Sequence, residues 1–210
     1  MTDLPDARQY SGYADLARAQ VRGRDFDITI QRRARSPVAV IAPHGGGIED
    51  GTSEIARAIA GDDFNLYLFE GLRPSRNYAA LHLTSHLFDE PECLALIAGC
   101  HYVVAVHGFD GHGHRALLGG LDVELRAELA EVLEGASISA ESEGHRFPAV
   151  HPTNVCNRGA RGRGVQLELT HPLRRSREIP RLATAVRTVL LPRCLRHRAQ
   201  PGARIDGEID

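Results

Sequence analysis

Apolar and polar positions along this chain fall into blocks that predict strands alternating with helices. Apolar runs at 26–31, 38–42 and 64–70 predict three strands in the first third of the chain. Between the second and third strands, TSEIARAIAG (52–61) has apolar residues at helical spacing, a Ser/Thr start and a glycine stop, so it predicts a helix. A continuous apolar run at 101–108 predicts a buried strand.

The rest of the chain continues this alternation. The clearest amphipathic helix is predicted at 121–136, where five apolar residues form one stripe. The other predicted elements are a short strand at 81–85, a helix at 89–99 with Pro in its first turn, strands at ASISAE and at 164–170, and a final helix at 178–191. The polar, Pro- and Gly-bearing segment 196–210 is predicted to be a flexible tail.

Strands that alternate with helices predict an α/β fold with a mixed, mainly parallel sheet flanked by helices on both faces. A length of 210 residues is enough for one compact core and short for two. We therefore expect a single domain over residues 1–210, with its core at about 10–195.

Composition narrows the classes of function. No stretch approaches the roughly 20 apolar residues that span a membrane, and the first residues have no basic start followed by an apolar run, so we expect a cytoplasmic protein without a membrane partner. A net charge of −2 and only 5% aromatic residues disfavour nucleic acid as a partner. The four cysteines form no CxxC pair and are predicted to be structural.

Polar groups of catalytic type occur at three of the predicted strands. His44 follows the strand VAVIAP, His107 ends VVAV, and Glu168 lies inside the apolar run GVQLEL. Ligands of open α/β sheets bind beyond the carboxyl ends of the strands. A carboxylate between two leucines must be paired or functional, because burying an isolated charge is costly. These three residues therefore mark the expected site.

His44 and Glu49 are separated by a glycine-rich loop that can fold one side chain back onto the other. Two histidines and one glutamate are a standard ligand set of catalytic zinc, and His107 would complete it. A phosphate-binding loop is the first alternative, but the segment has neither the P-loop lysine nor GxGxxG spacing. The second alternative makes Glu49 an ordinary first-turn acid of the following helix.

Other residues compete for roles in this site. His82 and His86 lie four apart, and His82 is the strongest competing ligand, whereas His112 and His114 lie in a glycine-rich loop. Arginines are dense near the last predicted strand, at Arg158, Arg161, Arg163, Arg174, Arg175 and Arg177. They can be a solvated surface, or they can hold substrate carboxylates or a developing oxyanion.

The motifs APHGGGIEDGTSEIARAIAG, LHLTSHLFDEP, AVHGFDG and NRGARGRGVQLELT occur in an order that resembles the poly-γ-glutamate hydrolase family, also described as phage replication-type proteins. The resemblance covers residues 10–195. It implies a zinc peptidase domain similar to the carboxypeptidase A fold, which hydrolyses γ-glutamyl amide bonds. It further implies zinc ligands at His44, Glu49 and His107 and a general base at Glu168.

Asn157 and Arg158 resemble the Asn–Arg pair that holds the substrate carboxylate in carboxypeptidases, although here the pair follows the third zinc ligand. Together these patterns predict a zinc-dependent amide hydrolase, with Arg163 or Arg158 stabilising the oxyanion. The alternatives are an N-acyl amino acid amidohydrolase that acts on a small substrate and a non-enzymatic phage replication accessory that binds nucleic acid.

Overall fold

One mixed sheet organises the part of the chain, residues 10–199, that the computed structural model describes. Its strands are β1 (Phe26–Gln31), β2 (Val38–Gly46), β3 (Asn65–Gly71), β4 (Tyr102–Phe109), β5 (Arg115–Gly119), β6 (Ser139–Glu141) and β7 (Val165–Thr170). They are ordered β1-β3-β2-β4-β7-β5-β6. The central strands β3, β2, β4 and β7 are mutually parallel, and β1 and β5 pair antiparallel to their neighbours β3 and β7. The predicted α/β fold class is confirmed.

Helices cover both faces of this sheet. They are α1 (Tyr13–Ala19), α2 (Thr52–Ala60), α3 (Asn77–Leu81), α4 (Pro91–Ile97), α5 (Val123–Gly135), α6 (His171–Arg174) and α7 (Ile179–Ala199), with a short 3₁₀ helix at Val155–Asn157. Among residues 10–199, none of the helices combines the length and the hydropathy that crossing a membrane requires.

The sheet separates two hydrophobic cores, because successive side chains of a strand point to opposite faces. On one face, α2, α5 and α7 pack against residues such as Val104 and Val106 of β4. On the other face, α1, α4 and the 3₁₀ helix pack against residues such as Val103 and Ala105 of the same strand. Many residues of both cores have no exposed surface, and the central strands lie between the two cores.

The predicted strand at 81–85 is wrong. Leu81 is instead the last residue of α3, and the residues after it form an irregular loop. His82 and His86 therefore share neither a strand nor a helix face. Five elements observed within residues 10–199 were not predicted: the helices α1, α3 and α6, the 3₁₀ helix and the strand β5.

The last helix is longer than predicted. It continues through Pro192 to Ala199, so residues 196–199 are helical, and the remainder of the predicted tail lies outside the described residues. The four cysteines are buried free thiols, as their spacing predicts.

Candidate metal centre and active site

The carboxyl ends of β2, β4 and β7 meet, because these strands are parallel neighbours in the sheet. His107 of β4 is directly opposite Glu168 of β7, and cross-strand neighbours point to the same face. His44 lies at the end of β2, where the pairing with β3 shifts register between Ala42 and Gly45. The structure thus brings all three predicted strand-end residues to one edge of the sheet.

A tight turn after β2 returns Glu49 to His44. The Glu49 amide donates to the His44 carbonyl at 2.9 Å, and the Thr52 hydroxyl donates to the Glu49 carbonyl at 2.7 Å. Gly46 has φ +59°, and a Cβ there would lie 2.6 Å from the Gly71 carbonyl oxygen, so this position requires glycine. The glycine-rich loop therefore has the function predicted for it, which is to bring two side chains together.

Three side chains form a close cluster at this edge. His44 Nδ1 lies 3.0 Å from Glu49 Oε1 and 3.1 Å from His107 Nδ1. His107 Nδ1 also lies 3.7 Å from Glu49 Oε2. Both histidines are only 1% exposed. We call His44, Glu49 and His107 the metal cluster, after the ligand set that the sequence predicts.

The hydrogen atoms of the metal cluster are constrained by its surroundings. His44 Nε2 lies 2.8 Å from the Leu83 carbonyl, which can only accept, so Nε2 bears the proton. A neutral His44 ring then has its lone pair at Nδ1, facing a carboxylate oxygen and a second imidazole nitrogen. Such acceptors repel one another unless a proton or a cation lies between them. Nitrogen and carboxylate donors in this arrangement fit Zn²⁺.

The Glu49 carboxylate is held in its ionised form. Burial alone would raise its pKa, but when a proton lies between these groups, the charge that it gives His44 and the hydrogen bonds from His107 and His44 hold the pKa well below its usual range. The Gly108 amide also donates to Glu49 Oε2 at 2.8 Å. An ionised, oriented carboxylate is what a metal ligand requires.

His82 is a fourth residue at this centre. Its Nε2 lies 3.7 Å from Glu49 Oε1, its ring lies 4.2 Å from that of His44, and its ligand atom fits a compact group with those of His44 and Glu49. Burial, followed by the charge of His44, lowers the pKa of His82 to about 3, so the ring is neutral and can ligate. His82 thus competes with His107, as the sequence indicates.

The buried Glu168 carboxyl is positioned by two amide side chains. Asn154 Nδ2 donates to Gln166 Oε1 at 3.2 Å, and Gln166 Nε2 donates to Glu168 Oε1 at 2.8 Å. Within residues 10–199, no arginine forms an ion pair with Glu168. Burial and then the charge of Glu49 raise the pKa of Glu168 to about 8. Gln166 could have been found from the sequence. Gln166 and Glu168 alternate with leucines in the strand, so their two side chains point to the same face.

The metal cluster and Glu168 line one open cleft of about 980 Å³. Its walls include Tyr78, Phe109, Arg146, His151 and Arg174. His112 and His114 are exposed and belong to a loop outside this cleft.

Two predicted arginines lie outside the cleft. Arg163 is directed toward α5, with Nε 4.0 Å from Asp122 and Nη2 3.9 Å from Glu124. Arg158 is exposed and is not part of the cleft wall. The structure thus does not bring Arg158 or Arg163 to the cleft that Glu168 lines, and their roles toward an oxyanion or substrate stay predictions.

Asn157 is used for a structural purpose. Its Oδ1 accepts from the amides of Leu121 and Gly164 at 3.0 and 3.2 Å. Its Nδ2 donates to the carbonyls of Ala149 and His151 at 2.8 and 3.0 Å. The side chain is 1% exposed and its amide binds four backbone groups, so its contact with substrate stays a prediction.

Replacing Asn157 with alanine is expected to lower the free energy of unfolding by about 1–3 kcal/mol or more, because backbone groups lose their partners in a buried region. Urea unfolding measures the change. The adjacent exposed Arg158 provides the control, since Arg158→Ala should change stability by no more than about 0.5 kcal/mol. Equal effects of the two substitutions would contradict the structural role of Asn157.

Two arginines line the cleft: Arg174, which belongs to the arginine-rich segment near the last strand, and Arg146, which was missed from the sequence. Arg174 is 4% exposed; its Nε donates to the Leu169 carbonyl at 3.1 Å, and its Nη1 donates to the Asp50 carbonyl. A Cβ at Gly108 would lie 2.3 Å from Arg174 Cζ, so the guanidinium requires glycine there. Arg174 thereby connects two parts of the chain, the strand β7 and the turn that contains Glu49. The second arginine, Arg146, is exposed at the mouth of the cleft.

Comparison with known proteins finds similarity over most of the chain. Residues 10–178 match the family model for poly-gamma-glutamate hydrolase. The UPF0714 protein YndL of Bacillus subtilis (strain 168) is 38% identical over 149 residues, which cover 70% of this chain and 58% of YndL. The SPbeta prophage-derived UPF0714 protein YoqZ of the same strain is 40% identical over 140 residues, covering 66% of this chain and 50% of YoqZ. The chain thus spans between 50% and 58% of the length of these two relatives.

Two solved structures share the fold. The structure of a bacteriophage poly-gamma-glutamate hydrolase matches with a TM-score of 0.83 at 32% identity, covering 90% of this chain and 98% of that one. The zinc-free structure of YndL matches with a TM-score of 0.76 at 31% identity, covering 93% of this chain and the whole of that one. The strands that carry the metal cluster thus belong to a fold found in both.

Proposed function

Because this chain belongs to the poly-gamma-glutamate hydrolase family, we propose that it is a zinc-dependent hydrolase that cleaves γ-glutamyl amide bonds of poly-γ-glutamate. The observation that carries the proposal is the meeting of His44, Glu49, His107 and Glu168 in one cleft at the strand ends. The existence of a zinc-free structure for the relative YndL supports zinc as the metal.

The proposed zinc ligands are His44, Glu49 and His107. His107 is preferred over His82 because it is 1% exposed and lies on a central strand, whereas the His82 side chain is 19% exposed and follows a short helix. Zinc held by these residues would supply a Lewis acid for the scissile carbonyl and would lower the pKa of bound water toward about 7.

Glu168 is the proposed general base. The Gln166 amide binds Oε1, which leaves Oε2 as the oxygen that accepts the proton of the attacking water. The same carboxyl then donates this proton to the leaving amine nitrogen, so the carboxylate is regenerated in each cycle. In the protein without metal, burial keeps this carboxyl protonated at neutral pH. Its readiness as a base therefore depends on positive charge at the adjacent metal cluster.

The test measures the zinc content of the protein and compares its cleavage of two polymers. We expect purified protein to contain one zinc per chain and to release short oligomers from poly-γ-glutamate, while poly-α-glutamate of equal length and charge stays intact. A chelator should abolish cleavage and added zinc should restore it. Zinc-loaded protein that leaves the γ-linked polymer uncleaved would overturn the proposed substrate.

A further inference from the structure

We propose that Arg146 is the specificity-determining residue that binds the free carboxylate of the glutamyl unit beside the scissile bond. This inference rests on the proposed function and adds a substrate contact to it. It is based on the guanidinium of Arg146, a positive charge at the cleft that forms no ion pair with the rest of the described chain.

Arg146 is held by aromatic rings. Its Cζ lies 4.7 Å from the centroid of the Phe147 ring and 5.7 Å from that of Phe109, and these two rings are 5.3 Å apart. Stacking on aromatic faces orients a guanidinium while leaving the N–H groups at its edge free to donate. Within residues 10–199, Arg146 forms no ion pair or hydrogen bond.

The segment around Arg146 is anchored on both sides. We call residues 142–151 the rim loop. Before Phe147, His145 Nε2 donates to the Leu118 carbonyl at 3.0 Å and His145 Nδ1 accepts from the Phe147 amide at 3.2 Å. After it, the Pro148 carbonyl accepts from the Gly120 amide at 2.9 Å.

Asn157 completes this anchoring, because its Nδ2 binds two carbonyls at the end of the rim loop. Arg146 is thus an exposed side chain on a backbone that is fixed from both directions. Such a residue can bind a ligand without first having to order the loop that carries it.

Arg146 is near the reacting groups. It lines the same cleft as Glu168 and the metal cluster. Burial raises the pKa of Glu168, and the charge of Arg146 is among those that act against this increase. The other arginine of the cleft, Arg174, already binds Asp50 and the Leu169 carbonyl.

The chemistry of a γ-linked chain supplies a matching group. An amide formed at the side-chain carboxyl leaves the α-carboxylate of each unit free and ionised. A guanidinium donates two parallel N–H groups to a carboxylate, which fixes both its position and its orientation. Arg146 can therefore place a γ-linked unit with its amide toward the metal cluster.

The experiment compares a residue change with a matching change in the substrate. Wild-type protein, Arg146→Gln and the control Arg32→Gln, an exposed arginine outside the cleft, are given a γ-linked glutamyl oligomer either free or as its α-methyl ester. We expect Arg146→Gln to lower kcat/KM for the free oligomer by about 10- to 150-fold, the loss of a charge-assisted hydrogen bond. It should leave turnover of the ester nearly unchanged, and Arg146→Lys should be intermediate.

Zinc content should be equal in all four proteins, which separates a substrate contact from damage to the metal cluster. An equal preference for free over esterified oligomer in wild type and Arg146→Gln would overturn the role of Arg146, while wild-type turnover would still support the proposed function.

Calorimetric binding of the free oligomer gives a readout that does not need turnover. A Kd about 10- to 150-fold weaker for Arg146→Gln supports the contact even if the wild-type protein does not cleave the oligomer. An unchanged Kd contradicts it.

Discussion

Replacing Glu168 with glutamine is expected to reduce kcat by about 10²- to 10⁴-fold while the protein stays folded and zinc-loaded. Glutamine keeps the shape of the side chain and removes its ability to accept a proton. Because Glu168 is not a proposed ligand, elemental analysis should find the same zinc content as in wild type. Glu131→Gln, an exposed change on α5, is the matched control and should leave kcat unchanged.

The same substitution tests how Glu168 is stabilised. The acid is protonated in the metal-free folded state up to a pH of about 8, whereas the unfolded chain ionises near its ordinary pKa of 4.5. Between these values Glu168 binds its proton more tightly in the folded state, so its contribution to the stability of metal-free protein falls as pH rises. His82, whose pKa is lowered to about 3, contributes in the opposite direction up to about pH 6.5. In urea unfolding from pH 5 to pH 8, stability should therefore rise more, or fall less, with pH in Glu168→Gln than in wild type.

A large loss of stability is not expected, because no arginine within residues 10–199 forms an ion pair with Glu168. Glutamine in place of an ion-paired carboxylate would leave an unpaired buried charge and cost about 3–5 kcal/mol. An active protein with that loss of stability would contradict the assignment of Glu168 as the general base.

Replacing His44 with alanine is expected to remove zinc from the protein almost completely. His44 lies at the centre of the metal cluster, within about 3 Å of both other ligands, so its loss opens the site and leaves two ligands. Metal analysis after dialysis should give close to one zinc per chain for wild type and for the control His112→Ala, which changes an exposed loop residue. A fully zinc-loaded His44→Ala protein would show that the ligand set is wrong.

The same measurement identifies the third ligand. We expect His107→Ala to lose zinc as His44→Ala does, and His82→Ala to retain it, because a rigid strand position holds a ligand more accurately than a loop position. The reverse result would replace His107 with His82 in the ligand set. Neither substitution removes a residue from the centre of a hydrophobic core, so both proteins should fold.

The sequence predicted the parts of the site that depend on strand order. Buried parallel strands have recognisable apolar runs, and the residues that follow them meet at one edge of the sheet by geometry alone. His44, His107 and Glu168 could therefore be brought together without coordinates. The glycines before Glu49 indicated a tight turn for the same local reason.

The arginines could not be assigned in this way. Those near β7 in sequence, such as Arg163, are directed toward α5, whereas Arg146 reaches the cleft from an irregular loop without periodicity. Asn157 matched a motif in residue type, but its amide is engaged by four backbone groups. Tertiary hydrogen bonds of this kind have no signature in a local pattern.

The two-faced sheet also bears on how this protein could be engineered. Its site uses one side of the strands, while α5 and α7 cover the other side with a core of their own. Substitutions that share no partner tend to contribute additively. Changes that improve heat resistance can therefore be collected in the packing of α5 against α7 and then combined with changes at the rim loop, which carries the substrate contact proposed for Arg146. Each set can be screened separately, so the number of variants to test grows as a sum and not as a product.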